Sequence, residues 1–269
     1  MNHWRLIFDA SIDGPTNMAI DHTILEAVGA GEAMPTLRLY AWEPPCLSLG
    51  YNQNAAEVDE TRLDTMGWGL VRRATGGKAI LHTDELTYSI TLPQDSPLVA
   101  GGILESYRRL SQALLMALNH LGLHPQSTPH EQAGQATGAV CFEVPSNYEI
   151  TAQGHKLIGS AQVRRLNAVL QHGSLPLSGD ISRICDALVF ESEAARASAK
   201  QRVLERAITV ERALGVVVTW EAAAQALTTA FAETFDVEWI EAALTSAERQ
   251  RVEQLRLDTY THPDWTYRH

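Results

Sequence analysis

Three short segments of the chain hold side chains suited to covalent or acid–base chemistry. The first runs Arg72-Arg73-Ala74-Thr75-Gly76-Gly77-Lys78-Ala79-Ile80-Leu81-His82. Its paired glycines let backbone approach a ligand closely, and its three cations offer donors to a carboxylate or phosphate. The glycine spacing is not that of a phosphate loop or a dinucleotide fold, and a plain hairpin turn with solvated charges is the commoner use of such a pair. The second segment is Cys141-Phe142-Glu143-Val144-Pro145-Ser146-Asn147. A cysteine just past a Gly/Ala/Gln stretch is a candidate nucleophile, although a cysteine taken blind is more often buried and inert. The third is Gly154-His155-Lys156-Leu157-Ile158-Gly159-Ser160-Ala161-Gln162, followed by Gln171-His172-Gly173-Ser174. Lys156 opens a strand and reaches over an open backbone surface, where most lysines are simply solvated. His82 and His172 suit acid–base work or structural hydrogen bonding.

Cys46, Cys141 and Cys185 show no Cys-x-x-Cys spacing, and no Cys/His cluster has zinc geometry. Neither a disulfide framework nor a metal or other cofactor is expected. Cys46 and Cys185 lie in apolar settings that read as packing. The N-terminus lacks the basic stretch and apolar core of a signal peptide, and no apolar run approaches the ~20 residues of a membrane span. A cytoplasmic protein, with no membrane association, is the expectation. A net charge of −11 argues against nucleic acid as a partner. The basic residues gather around Arg72, Arg73 and Lys78 and around Lys156, Arg164 and Arg165. That placement reads as a local basic surface for an anionic ligand or an acidic protein.

These segments need elements to hold them. Alternation and apolar runs predict strands at Trp4–Phe8, Thr36–Trp42 (half-buried), Leu47–Tyr51, Trp68–Val71, Ala79–Leu81 and Leu86–Leu92. Further strands are expected at Tyr148–Ala152, Lys156–Val163, Ala168–Leu175 and Val237–Ile240. A helix capped by Thr16 follows the first strand, and Ile103–Leu121 carries the clearest apolar stripe. Helices Ile181–Leu188, Lys200–Leu214, Trp220–Phe235 and Ser246 to about Tyr260 follow. Pro125 to Thr137, polar and containing Gly134, reads as a mobile loop. Strands first and helices later predict an α+β domain of mixed, mostly antiparallel sheets flanked by helices, with a helical C-terminal portion. The expected division is a catalytic domain over 1–240, helical from about 180, with 241–269 as a helix and tail packed on it. No unpaired amphipathic seam is left, so a monomer is expected.

In this order, the segments resemble the biotin/lipoate protein ligase superfamily, whose catalytic domain has a class II aminoacyl-tRNA synthetase-like fold. The closest likeness is to its cysteine-dependent octanoyltransferase branch. Asn17 to Asp21 is similar to the family's first helix and Leu37 to Gln53 to its first core strands. Arg72 to Ser89 resembles its acyl-binding loop, Cys141 to Gln162 its nucleophile and lysine segment, Gln171 to Ser174 the strand that follows, and Tyr260 to Trp265 its tail. His22 and Lys78 depart from the family's usual acidic residue and arginine. The resemblance implies Cys141 as nucleophile and Lys156 as its catalytic partner. It implies substrate contacts from Arg72, Arg73, Thr75, Gly76, Gly77, Ala79, His82, Gly159, Ser160, Ala161, His172 and Gly173, with Gly76, Gly77 and Ala79 lining a slot for the alkyl chain. It further implies an acyl carrier protein as octanoyl donor and a lipoyl-domain acceptor, such as glycine cleavage H protein or the lipoyl-bearing subunit of a 2-oxoacid dehydrogenase. The placement of charge, separately, leads to the expectation that these acidic partners dock on Arg72, Arg73, Arg164 and Arg165. The rival readings are an amidotransferase between lipoyl-domain proteins, an ATP-dependent lipoate ligase that needs no Cys141, and a non-catalytic acyl-binding adaptor.

Overall fold

The computed structural model of the protein describes residues 2–128 and 149–268. In chain order, the elements are β1 (Asn2–Phe8), α1 (Gly14–Gly29), β2 (Thr36–Tyr40), β3 (Cys46–Leu49), α2 (Glu60–Met66), β4 (Gly69–Arg72), β5 (Ile80–His82) and β6 (Glu85–Pro93). Next come α3 (Ile103–His120), β7 (Gln126–Thr128), β8 (Glu149–Ala152), β9 (His155–Arg165) and β10 (Ala168–Pro176). The chain closes with α4 (Glu193–Arg206), α5 (Val210–Leu214), α6 (Trp220–Phe235), β11 (Val237–Glu241), α7 (Ser246–Leu255) and α8 (Pro263–Thr266). Residues 129–137 of the expected loop lie outside the described residues, and Gln126–Thr128 is a strand instead.

Among the described residues, the main sheet has the order β11-β1-β2-β6-β10-β9-β8-β7, and a smaller sheet has the order β4-β3-β5. β11, β1 and β2 run parallel to one another, and the remaining pairs of the main sheet are antiparallel. The expected mixed α+β architecture is present, with one difference. The difference is in placement: the strand expected at Val237–Ile240 is β11, which returns to form the edge of the main sheet beside β1.

Strand alternation assigns each face of the main sheet a task. On β6, Leu86, Tyr88, Ile90 and Leu92 join the core under α3 and α6. The intervening Glu85 and Thr87 are turned the other way, toward α1, and are buried as well. On β10, Ala168 and Leu170 pack with α1 and α7, which places His172 and Ser174 on that same face. The α1 face is therefore the one that carries polar, chemistry-bearing residues.

Three element expectations change for identifiable reasons. Helix α1 is capped by Asp13, not Thr16: the Asp13 carboxylate accepts from Thr16 N at 3.0 Å and from the Thr16 hydroxyl. The helix expected over Lys200–Leu214 is two, α4 and α5. At the break, Ala207 forms a parallel bridge with Lys156, and Ile208 N donates to Lys156 O at 3.0 Å, so tertiary pairing overrides helical propensity. Finally, β2 is buried along its whole length. Arg38, which reads as a solvent-facing position, sits at 0 % exposure inside an ion-pair network.

Helix α1 is tied to the C-terminal elements by α7 and by Tyr260, whose hydroxyl lies 3.2 Å from His22 Nδ1. Burial, and then the Arg165 charge, push the His22 imidazole down to about 4 against the opposing pull of Glu26. An unfolded histidine titrates near 6.5, so between about pH 4 and 6.5 the unfolded chain binds more protons than the folded one. Stability should therefore fall as pH drops through that window, by at most about 1.4 kcal/mol per pH unit from this group. Urea titrations at pH 7, 6 and 5 should show the loss, and His22→Gln should flatten it. An unchanged slope in that variant removes His22 as the cause.

Candidate active site

The α1 face of the main sheet and the inner edge of the small sheet enclose a narrow cleft of about 20 Å³. Met18, Tyr40, Trp42, Ile80, Gly159, Ala161 and Gly173 contribute much of its lining, together with Ser48, Arg73, His82, Thr87, His172 and Ser174. Small residues on β9 and β10 keep one wall open. At Gly173 a Cβ would point to the opposite face of the sheet, 2.6 Å from both Ser160 Oγ and the Tyr88 ring.

Two imidazoles line the cleft, each backed by a buried carboxylate. His172 Nε2 lies 2.7 Å from Thr75 Oγ1, and its Nδ1 lies 3.2 Å from Asp21 Oδ2. Asp21 also accepts from Arg38 Nη1 at 2.9 Å and from the Tyr40 hydroxyl at 2.9 Å. Burial drives the Asp21 carboxyl upward, but His172 and Arg38 outweigh it and hold the group below the ordinary range. Burial depresses His172 in spite of Asp21. The second imidazole, His82, has Nε2 2.8 Å from Ser48 Oγ and Nδ1 2.6 Å from Glu85 Oε1. Thr87 and Ser174 hydroxyls donate to the Glu85 carboxylate. Burial pushes Glu85 up, while the His82 charge and these hydrogen bonds bring it below its usual value. Trp42 stacks on His82, with ring centroids 3.9 Å apart and planes within 10°, and its indole N–H donates to Thr87 at 2.8 Å.

The glycine loop is held from beneath rather than free. Arg73 donates to Ser48 O, Ser48 Oγ, Gly76 O and Lys78 O at 2.8–3.1 Å. Gly77 has φ +96°, and its carbonyl lies where a Cβ on Gly50 would come within 1.9 Å, so the β3 end and the loop meet backbone to backbone. Tyr51 N donates to Thr75 O at 2.8 Å across the same contact.

Of the residues read from sequence, Arg73, His82, Gly159, Ala161, His172 and Gly173 come together at the cleft, and Thr75 touches it through His172. The others are placed elsewhere. Arg72 is wholly buried, and its guanidinium donates to the carbonyls of Gly50, Tyr51, Gln53, Trp265 and Thr266. Gly76 and Gly77 shape the loop without lining the cleft. Ala79 packs in the core beneath the small sheet with Leu47 and Leu49. Ser160 points to the opposite face, 2.8 Å from the Tyr88 hydroxyl. Lys156 is buried, with Nζ 3.0 Å from Glu149 Oε1, and is not among the residues lining the cleft. Cys141 lies outside the described residues. Cys46 and Cys185 are buried, as expected, and burial pushes the Cys46 thiol up.

The expected basic docking surface is corrected by the same geometry. Arg72, Arg73 and Lys156 are interior groups bound to carbonyls or a carboxylate. Arg164 donates to Gly101 O, Gly102 O and Ser106 Oγ.

Sequence reasoning missed Asp21, Ser48, Glu85, Glu149 and the aromatic floor of Tyr40 and Trp42. Asp21 had a signal of a kind, a lone acid on the apolar side of an otherwise hydrophobic helix turn. Glu85 stands three residues after His82, a spacing without meaning until a strand turn brings the two together.

A buried polar sheet face and a clamped glycine loop bound a narrow cleft between the two sheets. Residues 13–232 match the lipoyl protein ligase A/B catalytic domain, and the chain belongs to that family. It is 41% identical over 268 residues, 98% of each chain, to octanoyltransferase LipM of Moorella thermoacetica. To the octanoyltransferase LipM proteins of Kyrpidia tusciae and Staphylococcus aureus it is 38% and 35% identical, again over 98% or more of each chain. Among solved structures, a bi-partite lipoate protein ligase from Thermoplasma acidophilum superposes with a TM-score of 0.83 at 24% identity, over 99% of this chain and 97% of that one, a likeness of fold alone. A lipoate-protein ligase A solved with ATP gives 0.79 at 25%, covering 98% of both chains. Within its family the chain stands with the octanoyltransferases.

The Asp21 carboxylate satisfies three buried donors at once, so Asp21→Asn should leave Arg38 short of its counter-charge. Breaking such a pair costs about 3–5 kcal/mol, which equilibrium urea unfolding at pH 7 would read as a lower midpoint. A midpoint equal to the parent's would mean that the network contributes nothing net.

Proposed function

We propose that the chain moves an octanoyl group from an acyl carrier protein to a lysine of a lipoyl domain, through a thioester on Cys141. The acceptor class is exemplified by glycine cleavage H protein or the lipoyl-bearing subunit of a 2-oxoacid dehydrogenase, and the setting is the cytoplasm. The observation that carries the reading is the apolar cleft bounded by Met18, Trp42, Ile80, Gly159 and Ala161, on a chain related end to end to octanoyltransferases.

The chemistry needs no nucleotide, because a thioester is already activated. The Cys141 thiolate attacks the thioester carbonyl, the carbon–sulfur bond to the carrier breaks, and the carrier thiolate departs with a proton. The neutral lysine amine of the acceptor then attacks the acyl-enzyme, forming the amide and returning the thiol. Lys156 is the partner in this reading: its ammonium favours the thiolate and draws charge from the carbonyl oxygen. Glu149, 3.0 Å away, fixes that amine in place, and the Ala207 bridge fixes its backbone.

Two expectations follow. Mixed with octanoyl-carrier protein and no ATP, the protein should gain one hydroxylamine-labile octanoyl adduct by intact mass, absent from Cys141→Ser. Modification that instead requires ATP and free lipoate and survives Cys141→Ser would assign the chain to the ligases. Ala161→Leu should narrow the slot and move acyl preference toward shorter chains, by about fourfold for each methylene excluded. An unaltered ranking of butanoyl, hexanoyl and octanoyl donors would place the alkyl chain elsewhere.

A further inference from the structure

The cleft also contains a serine hydroxyl that the transfer reading does not use. Ser48 Oγ, His82 Nε2, His82 Nδ1 and Glu85 Oε1 form a continuous chain of contacts at 2.8 and 2.6 Å. In the tautomer that donates from Nδ1 to the carboxylate, Nε2 turns its lone pair toward the serine hydroxyl. Nucleophile, base and orienting acid thus have the relations of a hydrolase triad, whose recognition rests on geometry and not on residue order. The base is held in plane by its stack on Trp42. The acid is held by the hydroxyls of Thr87 and Ser174. Arg73 Nη1 also donates to Ser48 Oγ at 3.1 Å and helps fix its position. Both Ser48 and His82 line the cleft. The parallel Thr75–His172–Asp21 chain differs in that Thr75 is not among the residues lining the cleft.

We propose that Ser48, His82 and Glu85 hydrolyse medium-chain acyl thioesters bound in this cleft, an activity separate from transfer through Cys141. Ser48 Oγ attacks the carbonyl carbon as its proton passes to His82 Nε2. The carbon–sulfur bond breaks, and the leaving thiolate takes that proton, leaving an acyl ester on Ser48. Water then attacks the ester, giving its proton to His82. The ester bond breaks, Ser48 recovers the proton, and the fatty acid leaves. Glu85 stays ionised throughout. The acyl preference rests on the same cleft as the transfer reading, while the nucleophile does not.

The test uses the full chain carrying Cys141→Ala, which removes transfer and leaves the triad. An octyl fluorophosphonate should give one phosphonylated residue, mapped to Ser48 by peptide mass spectrometry with loss of fluoride. Glu85→Gln in this background should slow the labelling about 100-fold, as expected for loss of the group that orients the base. The Cys141→Ala chain should also release free thiol from octanoyl-N-acetylcysteamine faster than buffer, and Ser48→Ala should abolish the excess. The probe needs no change at Ser48, so the labelling arm stands even where Ser48→Ala fails to fold. Absence of a Ser48 adduct at saturating probe, or thiol release no faster than buffer, overturns the proposal. Failure of the Cys141 adduct in the parent chain bears on the transfer reading alone.

Discussion

A single buried cation organises the face on which the chemistry sits. Arg38 is removed from solvent on β2, where it reaches Asp9, Asp21 and the Asn17 side chain and carbonyl. Taking a guanidinium out of water is costly unless every donor finds a strong acceptor. Here the acceptors come from α1 and from the turn before it, so α1 is pinned against β2. Asp21, fixed in this way, orients His172 on β10, and His172 meets Thr75 of the glycine loop. The cleft is therefore positioned by an electrostatic chain that crosses from the main sheet to the small one. Its apolar walls could not by themselves fix which way the two sheets face.

A second guanidinium serves the other end of that chain. Arg72 gathers carbonyls from the segment after β3 and from the tail at Trp265 and Thr266. The Trp265 indole returns a hydrogen bond to Arg72 O at 2.8 Å. Arg73, its neighbour in sequence, does for the glycine loop what Arg72 does for the tail. Adjacent residues on a strand point to opposite sides, so one dipeptide ties together two layers. Neither arginine is a surface charge, and both act as multivalent hydrogen-bond donors to backbone.

This explains what could be read from the residues and what could not. Periodicity located the strands because alternation of Leu86, Tyr88, Ile90 and Leu92 is a local property. It located α6, at Trp220–Phe235, for the same reason. It misjudged the faces of β2 and the basic segments, since the environment of Arg38, Arg72 and Arg73 depends on residues up to 194 positions away. The separate motifs in register pointed to the family, and half of the residues they suggested do meet at the cleft. The acids behind the histidines were hidden. Asp21 and His172 are 151 residues apart, and Glu85 looks like an ordinary turn acid until Ser48 is brought to His82 by the β3–β5 pairing.

The parallel pairing of β1 with β11 has a consequence for how the molecule comes together. Arg5 on β1 forms its ion pair with Glu248 across 243 residues, and β1 is flanked on its outer side by β11, far along the chain. Contacts of such long range are closed late and raise the entropic barrier to folding. β1 therefore keeps one backbone edge unpaired until β11 has reached it.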